Sequence, residues 1–298
     1  MTLRLATRRS PLALLQARYV QERLLRLDVA SELVAVQTSG DVTTNVPLSS
    51  LGGQGIFAVE VQRAVLDGVA DVAVHSAKDL PSTTPDGLRL SCVPERRDAV
   101  DVLVGRSLAG LGPGATVATG SPRRRALLLE RRPDLNVVEL RGNMATRLAA
   151  PGRDGVDAVV AAAAALERLE ESSRVSDRLD PAWFVPQVGQ GSLALETRAD
   201  DAATMRALAP LNSLYDFEAL AGERAFLREL GAGCSVPAGA YATWQSGMLS
   251  VSGLMIAYDG SRSVRHRVTG RDPLALGREL ARFLRDDLDG ASLPGWRP

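Results

Sequence analysis

Lysine is almost absent from this chain. Of its 35 lysine and arginine residues, Lys78 is the single lysine. An ammonium is a compact point charge and a guanidinium is a broad planar fork, so arginine does not replace lysine at a crowded or reactive position. Lys78 is therefore a candidate for a committed chemical role. Two other interpretations stay open, namely a salt-bridged lysine that drift toward arginine has not reached and a Schiff-base lysine.

Histidine and cysteine are also scarce, with two residues of each. His75, His266, Cys92 and Cys234 do not have the spacing of a metal-ligand motif, and we expect no metal site. Two cysteines fit a reducing compartment. Cys92 lies in an apolar run and is predicted to be buried. Cys234 lies in a glycine-rich turn that favours a reactive or modified thiol, with no histidine nearby to act as its base.

Aromatic residues make up 4% of the chain, and the formal net charge is zero. Both values disfavour a nucleic-acid partner, which selects basic surfaces and stacking aromatics. No apolar run approaches the ~20 residues of a membrane span, and the first ten residues lack the apolar core of a secretory signal. We therefore expect a cytoplasmic protein with no membrane partner.

The first two thirds of the chain alternate short strands with helices, which is typical of the α/β class. Two devices recur in the same order, a Ser-Pro pair that opens a helix and an aspartate before a buried strand. The pairs are Ser10-Pro11 and Ser121-Pro122, and the aspartates are Asp71 and Asp157. This recurrence predicts two related lobes, each with a helix N-terminus suited to an anion.

The pattern changes after about residue 211, where helices flank strands with alternating apolar residues. The pair Asp259-Gly260 predicts a hairpin turn between two of these strands. We predict a third, α+β domain at residues 212–298. The first domain then comprises residues 1–94 with 190–211, and the second comprises residues 95–189.

Charged residues mark two candidate sites. Arg123, Arg124 and Arg141 lie at loop-helix junctions, where guanidinium forks and backbone N–H groups together bind anions. Solvated surface arginine is the alternative interpretation. Asp79 follows Lys78 at the C-terminal end of a predicted strand, the edge at which α/β lobes carry their ligands. A structural ion pair between the two is the alternative there.

Several segments, taken together, resemble the porphobilinogen deaminase family over nearly the whole chain. They are Leu5-Ala-Thr-Arg8-Arg-Ser10-Pro, His75-Ser-Ala-Lys78-Asp79-Leu-Pro81, Arg141-Gly-Asn-Met-Ala-Thr-Arg147, Val188-Gly-Gln-Gly191 and Gly233-Cys234-Ser-Val-Pro237. The resemblance implies two lobes like those of type II periplasmic binding proteins and a small C-terminal α+β domain. It also implies a monomeric transferase that joins four porphobilinogen molecules head to tail into hydroxymethylbilane and releases ammonia.

The same resemblance implies a dipyrromethane cofactor in thioether linkage to Cys234. It assigns catalysis to Asp79 and Lys78. The implied cofactor-binding residues, besides these three, are Thr119, Gly120, Ser121, Arg123 and Arg124. The implied substrate-binding residues are Arg8, Ser10, Arg141, Arg147, Arg168 and Gln190.

Three positions depart from the family pattern. Gln54 stands where the glycine-rich loop commonly has lysine, Ala165 where glycine is common, and Pro122 where leucine or a similar residue is usual. A non-catalytic, two-lobed polycarboxylate-binding paralogue is therefore the alternative function. A pyridoxal-phosphate enzyme with Lys78 as its Schiff base is a third, weaker alternative.

Overall fold

The computed structural model of the chain describes residues 2–38, 58–231 and 236–296. These residues form two compact units, Met1–Arg97 with Gly191–Glu218 and Asp98–Gln190 with Ala219–Pro298. We call them the first unit and the second unit. None of the described helices is long and apolar enough to cross a membrane.

Strands and helices alternate along most of the described chain. The strands are β1 (Leu3–Arg8), β2 (Ser31–Val36), β3 (Val72–Ser76), β4 (Leu88–Cys92), β5 (Asp101–Gly105), β6 (Thr116–Ala118), β7 (Asn136–Val138), β8 (Ala158–Ala162), β9 (Val175–Leu179), β10 (Leu193–Arg198), β11 (Ala238–Gln245), β12 (Met248–Ile256) and β13 (Ser263–Gly270). The α-helices are α1 (Pro11–Leu25), α2 (Val59–Leu66), α3 (Pro122–Arg131), α4 (Met144–Leu148), α5 (Ala163–Arg168), α6 (Ala202–Leu208), α7 (Leu214–Glu229) and α8 (Pro273–Arg282).

Each unit contains a five-stranded sheet, and the two sheets share one topology. The strand order is β2-β1-β3-β10-β4 in the first unit and β7-β6-β8-β5-β9 in the second. In each sheet the first three strands run parallel, and the fourth pairs antiparallel with both of its neighbours. The predicted pair of related α/β lobes is confirmed.

Two aspartates make the same pair of hydrogen bonds in the two lobes. A side-chain oxygen of Asp71 accepts from the backbone N–H of Arg4 at 3.0 Å, and Asp71 N–H donates to Arg4 O at 2.9 Å. Asp157 and Thr116 repeat both bonds at 2.9 Å. The aspartate thus holds the start of the central strand, which explains its recurrence.

The C-terminal part of the second unit is a three-stranded antiparallel sheet in the order β11-β12-β13. Apolar residues of α7 and α8 pack on it, among them Phe226, Leu276 and Leu280. The end of β12 contributes Leu254 and Ile256 to the core of the second lobe. The predicted hairpin and α+β class are confirmed.

The second unit contains both the second lobe and most of the C-terminal domain, so the three-domain boundaries stay a prediction.

Candidate functional site

The carboxyl ends of β1 and β3 form the candidate site of the first unit. The strands lie parallel and adjacent, so their ends meet at one edge of the sheet. The 3-10 turn Ala77–Asp79 follows β3 directly and carries Lys78. Arg8, the last residue of β1, lies with its guanidinium 3.8 Å from Asp79 Oδ2. The Asp79 side chain keeps 35% of its exposure, so its carboxylate is paired and still accessible.

Helix α1 begins three residues after Arg8 and supplies an anion-binding end. Ser10 caps this helix and accepts a hydrogen bond from the backbone N–H of Ala13 at 3.3 Å. Gln16, which is buried, donates to Ser76 Oγ at 2.7 Å. This bond fixes α1 to the end of β3, directly before the turn that carries Lys78. Sequence reasoning missed Gln16, although an amide among the apolar positions of a helix was an available signal.

A buried polar cluster joins β3 to β10 and α2. His75 Nε2 lies 3.3 Å from Glu196 Oε2, and Gln62 Nε2 donates to the same oxygen at 2.7 Å. All three side chains are buried, where a carboxylate needs such partners. The cluster fixes the strand that leads into the Lys78 turn. Sequence reasoning did not find Gln62 or Glu196, because each lies in a segment with no recognisable motif.

The start of α3 holds the predicted cofactor-binding residues of the second unit. Ser121 caps α3 and accepts from the backbone N–H of Arg124 at 3.4 Å. Thr119 Oγ1 in turn accepts from the backbone N–H of Ser121 at 3.2 Å. A Cβ at Gly120 would lie 2.7 Å from the Leu140 carbonyl oxygen, so this close approach requires glycine.

Arg123 and Arg124 are both buried and share one carboxylate, that of Asp101. Arg123 Nη2 donates to Asp101 Oδ2 at 2.7 Å, while Arg124 donates to Oδ1 from Nε at 2.9 Å and from Nη2 at 2.6 Å. Each guanidinium also donates to a backbone carbonyl, of Val185 or of Val160. The predicted anion-binding pair therefore already holds one anion, a carboxylate of the protein. Sequence reasoning did not identify Asp101.

Gln190 completes this group, which we call the Asp101 cluster (Asp101, Arg123, Arg124 and Gln190). Its side-chain amide donates to Asp101 Oδ1 at 3.0 Å and to the Ala99 carbonyl at 2.6 Å, and its oxygen accepts from Arg124 at 3.3 Å. Gln190 is fully buried. Its geometry is that of a residue that orients the cluster, and its contact with substrate stays a prediction.

The charges of the Asp101 cluster do not cancel. Burial acts to raise the pKa of Asp101, but the attraction of Arg123 and Arg124 outweighs it and lowers that pKa to about 2. Burial lowers the pKa of Arg123, and repulsion by Arg124 acts in the same direction, against the attraction of Asp101. Because guanidinium groups stay protonated in proteins, two positive charges face one carboxylate, and a single net positive charge remains.

The other predicted substrate-binding arginines also belong to the second unit. Arg141 Nε donates to Glu139 at 2.9 Å, and Arg147 Nε donates to the Gly142 carbonyl at 3.0 Å. Arg168 is half-buried at the end of α5. The structure thus brings Arg141 and Arg147 to one turn, and their roles toward a ligand stay predictions.

Two of the three departures from the family pattern lie among the described residues. Pro122 occupies the first position of α3, as Pro11 does in α1, where its missing N–H leaves no bond unmade. Ala165 is buried within α5. Gln54 and its loop at residues 52–55 lie outside the described residues, and so does Cys234.

Cys92 is predicted to be inert to thiol reagents in the folded protein. It is buried at the end of β4, and burial raises the pKa of its thiol to about 12. The reactive thiolate is then present at roughly one part in 10⁵ at pH 7. A Cys234→Ser variant should gain no mass from iodoacetamide under native conditions and one adduct in urea. Rapid native labelling of that variant would contradict the burial of Cys92.

Family models match most of the chain. Residues 3–206 match "Porphobilinogen deaminase, dipyromethane cofactor binding domain", and residues 217–286 match "Porphobilinogen deaminase, C-terminal domain". Among solved structures, the methionine-binding protein MetQ is 13% identical and covers 75% of this chain and 94% of its own, with a TM-score of 0.45.

Curated relatives agree with the family models. The porphobilinogen deaminase of Syntrophotalea carbinolica is 43% identical over 95% of this chain and 92% of its own length. That of Acidithiobacillus ferrooxidans is 42% identical over 95% of this chain and 94% of its own length. With both domain models matched in order and this identity along nearly its full length, the chain belongs to the porphobilinogen deaminase family.

Proposed function

We propose that the chain is a hydroxymethylbilane synthase and that Asp79 and Lys78 carry out its reaction. The enzyme is a transferase that condenses four porphobilinogen molecules head to tail into linear hydroxymethylbilane. In each condensation the aminomethyl C–N bond of one porphobilinogen breaks and ammonia leaves. A C–C bond then forms to a pyrrole α-carbon, which loses its proton. After the fourth condensation, hydrolysis adds one water, which supplies the hydroxyl group, and releases hydroxymethylbilane. The observation that carries the proposal is the accessible Asp79 carboxylate on the Lys78 turn, 3.8 Å from Arg8.

Asp79 supplies the negative charge that this chemistry needs. Loss of ammonia leaves a cationic azafulvene, and attack on it gives a pyrrole cation. An ionised carboxylate near the pyrrole nitrogens stabilises both cations and can accept or deliver a proton. The guanidinium of Arg8 lies 3.8 Å from Asp79 Oδ2 and lies on the same edge of the sheet as Lys78. Lys78 adds a positive charge on the same turn and binds a substrate carboxylate.

The residues present fit a dipyrromethane cofactor. Each pyrrole of such a group carries an acetate and a propionate, so its binding site needs several cations and N–H donors. Within the second unit, the capped end of α3 lies beside the Asp101 cluster. The Asp101 cluster has a net positive charge, and the Arg123 Nε is buried with no hydrogen-bond acceptor among the described residues. When bound through Cys234, the group supplies the pyrrole α-carbon on which the chain of porphobilinogen units starts.

The other residues hold carboxylates in this proposal. Thr119, Gly120 and Ser121 shape the N-terminus of α3, whose N–H groups and positive dipole end favour an anion. Arg141, Arg147 and Arg168 bind carboxylates of the substrate, together with Arg8, Ser10 and Gln190. Pairing these charges is required, because an unpaired carboxylate inside protein is costly.

The proposed enzyme is a cytoplasmic monomer that acts on a small molecule. Its zero net charge supports the absence of a nucleic-acid partner. We also propose three domains, residues 1–94 with 190–211, residues 95–189 and residues 212–298. The second of these contains every residue of the Asp101 cluster except Gln190.

The intact mass of the purified protein tests the proposed function. We expect the wild-type chain to carry the added mass of two linked pyrroles and the Cys234→Ser variant to lack it. Reduction, denaturation and peptide mapping should place the addition on Cys234 and leave Cys92 unmodified. A wild-type mass that stays unmodified after incubation with porphobilinogen would favour the non-catalytic polycarboxylate-binding paralogue. An absorbance typical of an internal aldimine, lost on Lys78→Arg substitution, would favour the pyridoxal-phosphate alternative.

A further inference from the structure

The two lobes allow the Asp101 cluster to be compared with its own counterpart in the same chain. Strand pairing places Asp101 opposite Ala162 in the second lobe and Leu193 opposite Ser76 in the first. Ala162 and Ser76 are the last residues of the equivalent strands β8 and β3. Leu193 is therefore the first-lobe counterpart of Asp101.

The two arginines have apolar counterparts as well. Both helices begin with a capping serine and a proline at the first position, which aligns α1 with α3. The two positions after the proline are Leu12 and Ala13 in the first lobe and Arg123 and Arg124 in the second. The three equivalent positions are thus Leu193, Leu12 and Ala13 in the first lobe. In the second lobe they are Asp101, Arg123 and Arg124.

This difference shows that the lobe topology accommodates apolar residues at these three positions. Moving three charges out of water is costly, and apolar replacements of buried ion pairs are often neutral or stabilising. The first lobe already has such an apolar arrangement, with Ala13 and Leu193 buried. The charges of the second lobe therefore call for an explanation other than stability.

The geometry of the cluster points to a ligand that carries negative charge. Its three charges sum to a net +1, and Arg123 Nε is buried without an acceptor among the described residues. Arg123 also contacts the strand that follows the cofactor cysteine in sequence. A Cβ at Gly239 would lie 3.2 Å from Arg123 Cδ and 2.6 Å from the Pro186 carbonyl oxygen. Gly239 follows Cys234 by five residues.

We propose that Asp101 is a positioning residue for cofactor assembly. Asp101 holds Arg123 and Arg124 as a preformed pair, and Gln190 fixes the orientation of Asp101. The cluster keeps one positive charge, which binds a carboxylate of the dipyrromethane. Without Asp101, the two guanidinium groups repel each other and their geometry is lost before the cofactor arrives. This inference rests on the proposed function, because it concerns the step that loads Cys234.

Cofactor uptake by apo-protein tests this role directly. The full chain is produced in a host that makes no porphobilinogen, then incubated with porphobilinogen, and the mass gain is followed over time. For Asp101→Asn we expect uptake roughly 10- to 100-fold slower than in the wild type, the usual cost of removing a residue that orients a binding group. Asp101→Glu keeps the charge and should recover part of the rate. The matched control is Glu130→Gln on α3, the helix of Arg123 and Arg124. It removes an ion pair with Arg265 of β13 and should load at the wild-type rate.

A triple variant separates positioning from folding. Asp101→Leu with Arg123→Met and Arg124→Met gives the second lobe the apolar character of the first. It should melt at a higher temperature than Asp101→Asn, since no buried charge is left unpaired, and it should take up no cofactor. Wild-type uptake by the triple variant, or by folded Asp101→Asn, would overturn the proposal. If neither of these variants folds, Asp101→Glu decides, and an unchanged rate in that variant also overturns it. Failure of the wild type itself to gain mass would reject the proposed function instead.

Discussion

Asp79→Asn is expected to lower kcat by about 10²- to 10⁴-fold, the usual range for losing a charge-stabilising or proton-transferring group. The amide has the same shape as the carboxylate but cannot stabilise a pyrrole cation or accept a proton. The variant should fold normally, because the Asp79 side chain is 35% exposed and its pairing with Arg8 spans 3.8 Å. Steady-state formation of hydroxymethylbilane gives kcat, and release of ammonia with enzyme in excess over porphobilinogen reports a single condensation.

Two further variants give this experiment its control. Asp86→Asn removes an exposed carboxylate from the same unit and should leave kcat unchanged. Asp79→Glu restores the charge with one extra methylene and should exceed the asparagine variant by at least about tenfold. An asparagine variant that keeps more than a tenth of the wild-type kcat would remove Asp79 from the chemistry, whatever its position.

The lobes could be predicted because their signals are local. A serine with a proline behind it begins a helix in each copy, and Asp71 and Asp157 each bond to the first residues of a neighbouring strand. The helix start depends on adjacent residues, and each aspartate stands directly before a buried strand, so both signals can be read in the sequence of both copies even though the aspartate bonds join distant residues. The strand order was not predicted, because it depends on β10 and β5, which join their sheets from distant parts of the chain.

The burial of the predicted binding arginines could not be foreseen from the sequence, for a related reason. Arg123 and Arg124 belong to a run of three arginines, which is typical of an exposed surface. Their burial follows from Asp101, more than twenty residues earlier, and from Gln190 on the segment after β9. Asp101 begins an apolar strand, where it resembles a loop residue. The folded structure places it at the end of β8 by strand pairing and against the start of α3 by its bonds to Arg123 and Arg124.

Asp101→Asn is expected to have the largest effect on stability, about 3–5 kcal/mol at pH 7, because it leaves two buried guanidinium groups without a counter-charge. The amide also points an N–H donor at guanidinium donors. Urea unfolding of the apo-protein measures this, and tryptophan fluorescence reports the second unit alone, since Trp183, Trp244 and Trp296 all lie within it. Glu130→Gln, which breaks a half-buried ion pair between α3 and β13, should cost about 1 kcal/mol or less.

The stability of the wild type at acid pH should report the protonation of Asp101. The pKa of Asp101 is about 2 in the folded chain, against its ordinary value of 3.8 in the unfolded chain. The unfolded chain therefore binds the proton more readily. The stabilising contribution of Asp101 is complete above about pH 4 and is lost as the pH falls toward 2, a change of about 2 kcal/mol. The triple variant with leucine and two methionines has no such group and should lack this part of the decline, while Glu130→Gln should keep it. Equal acid sensitivity of the wild type and the triple variant would show that Asp101 is not ionised inside the folded second unit.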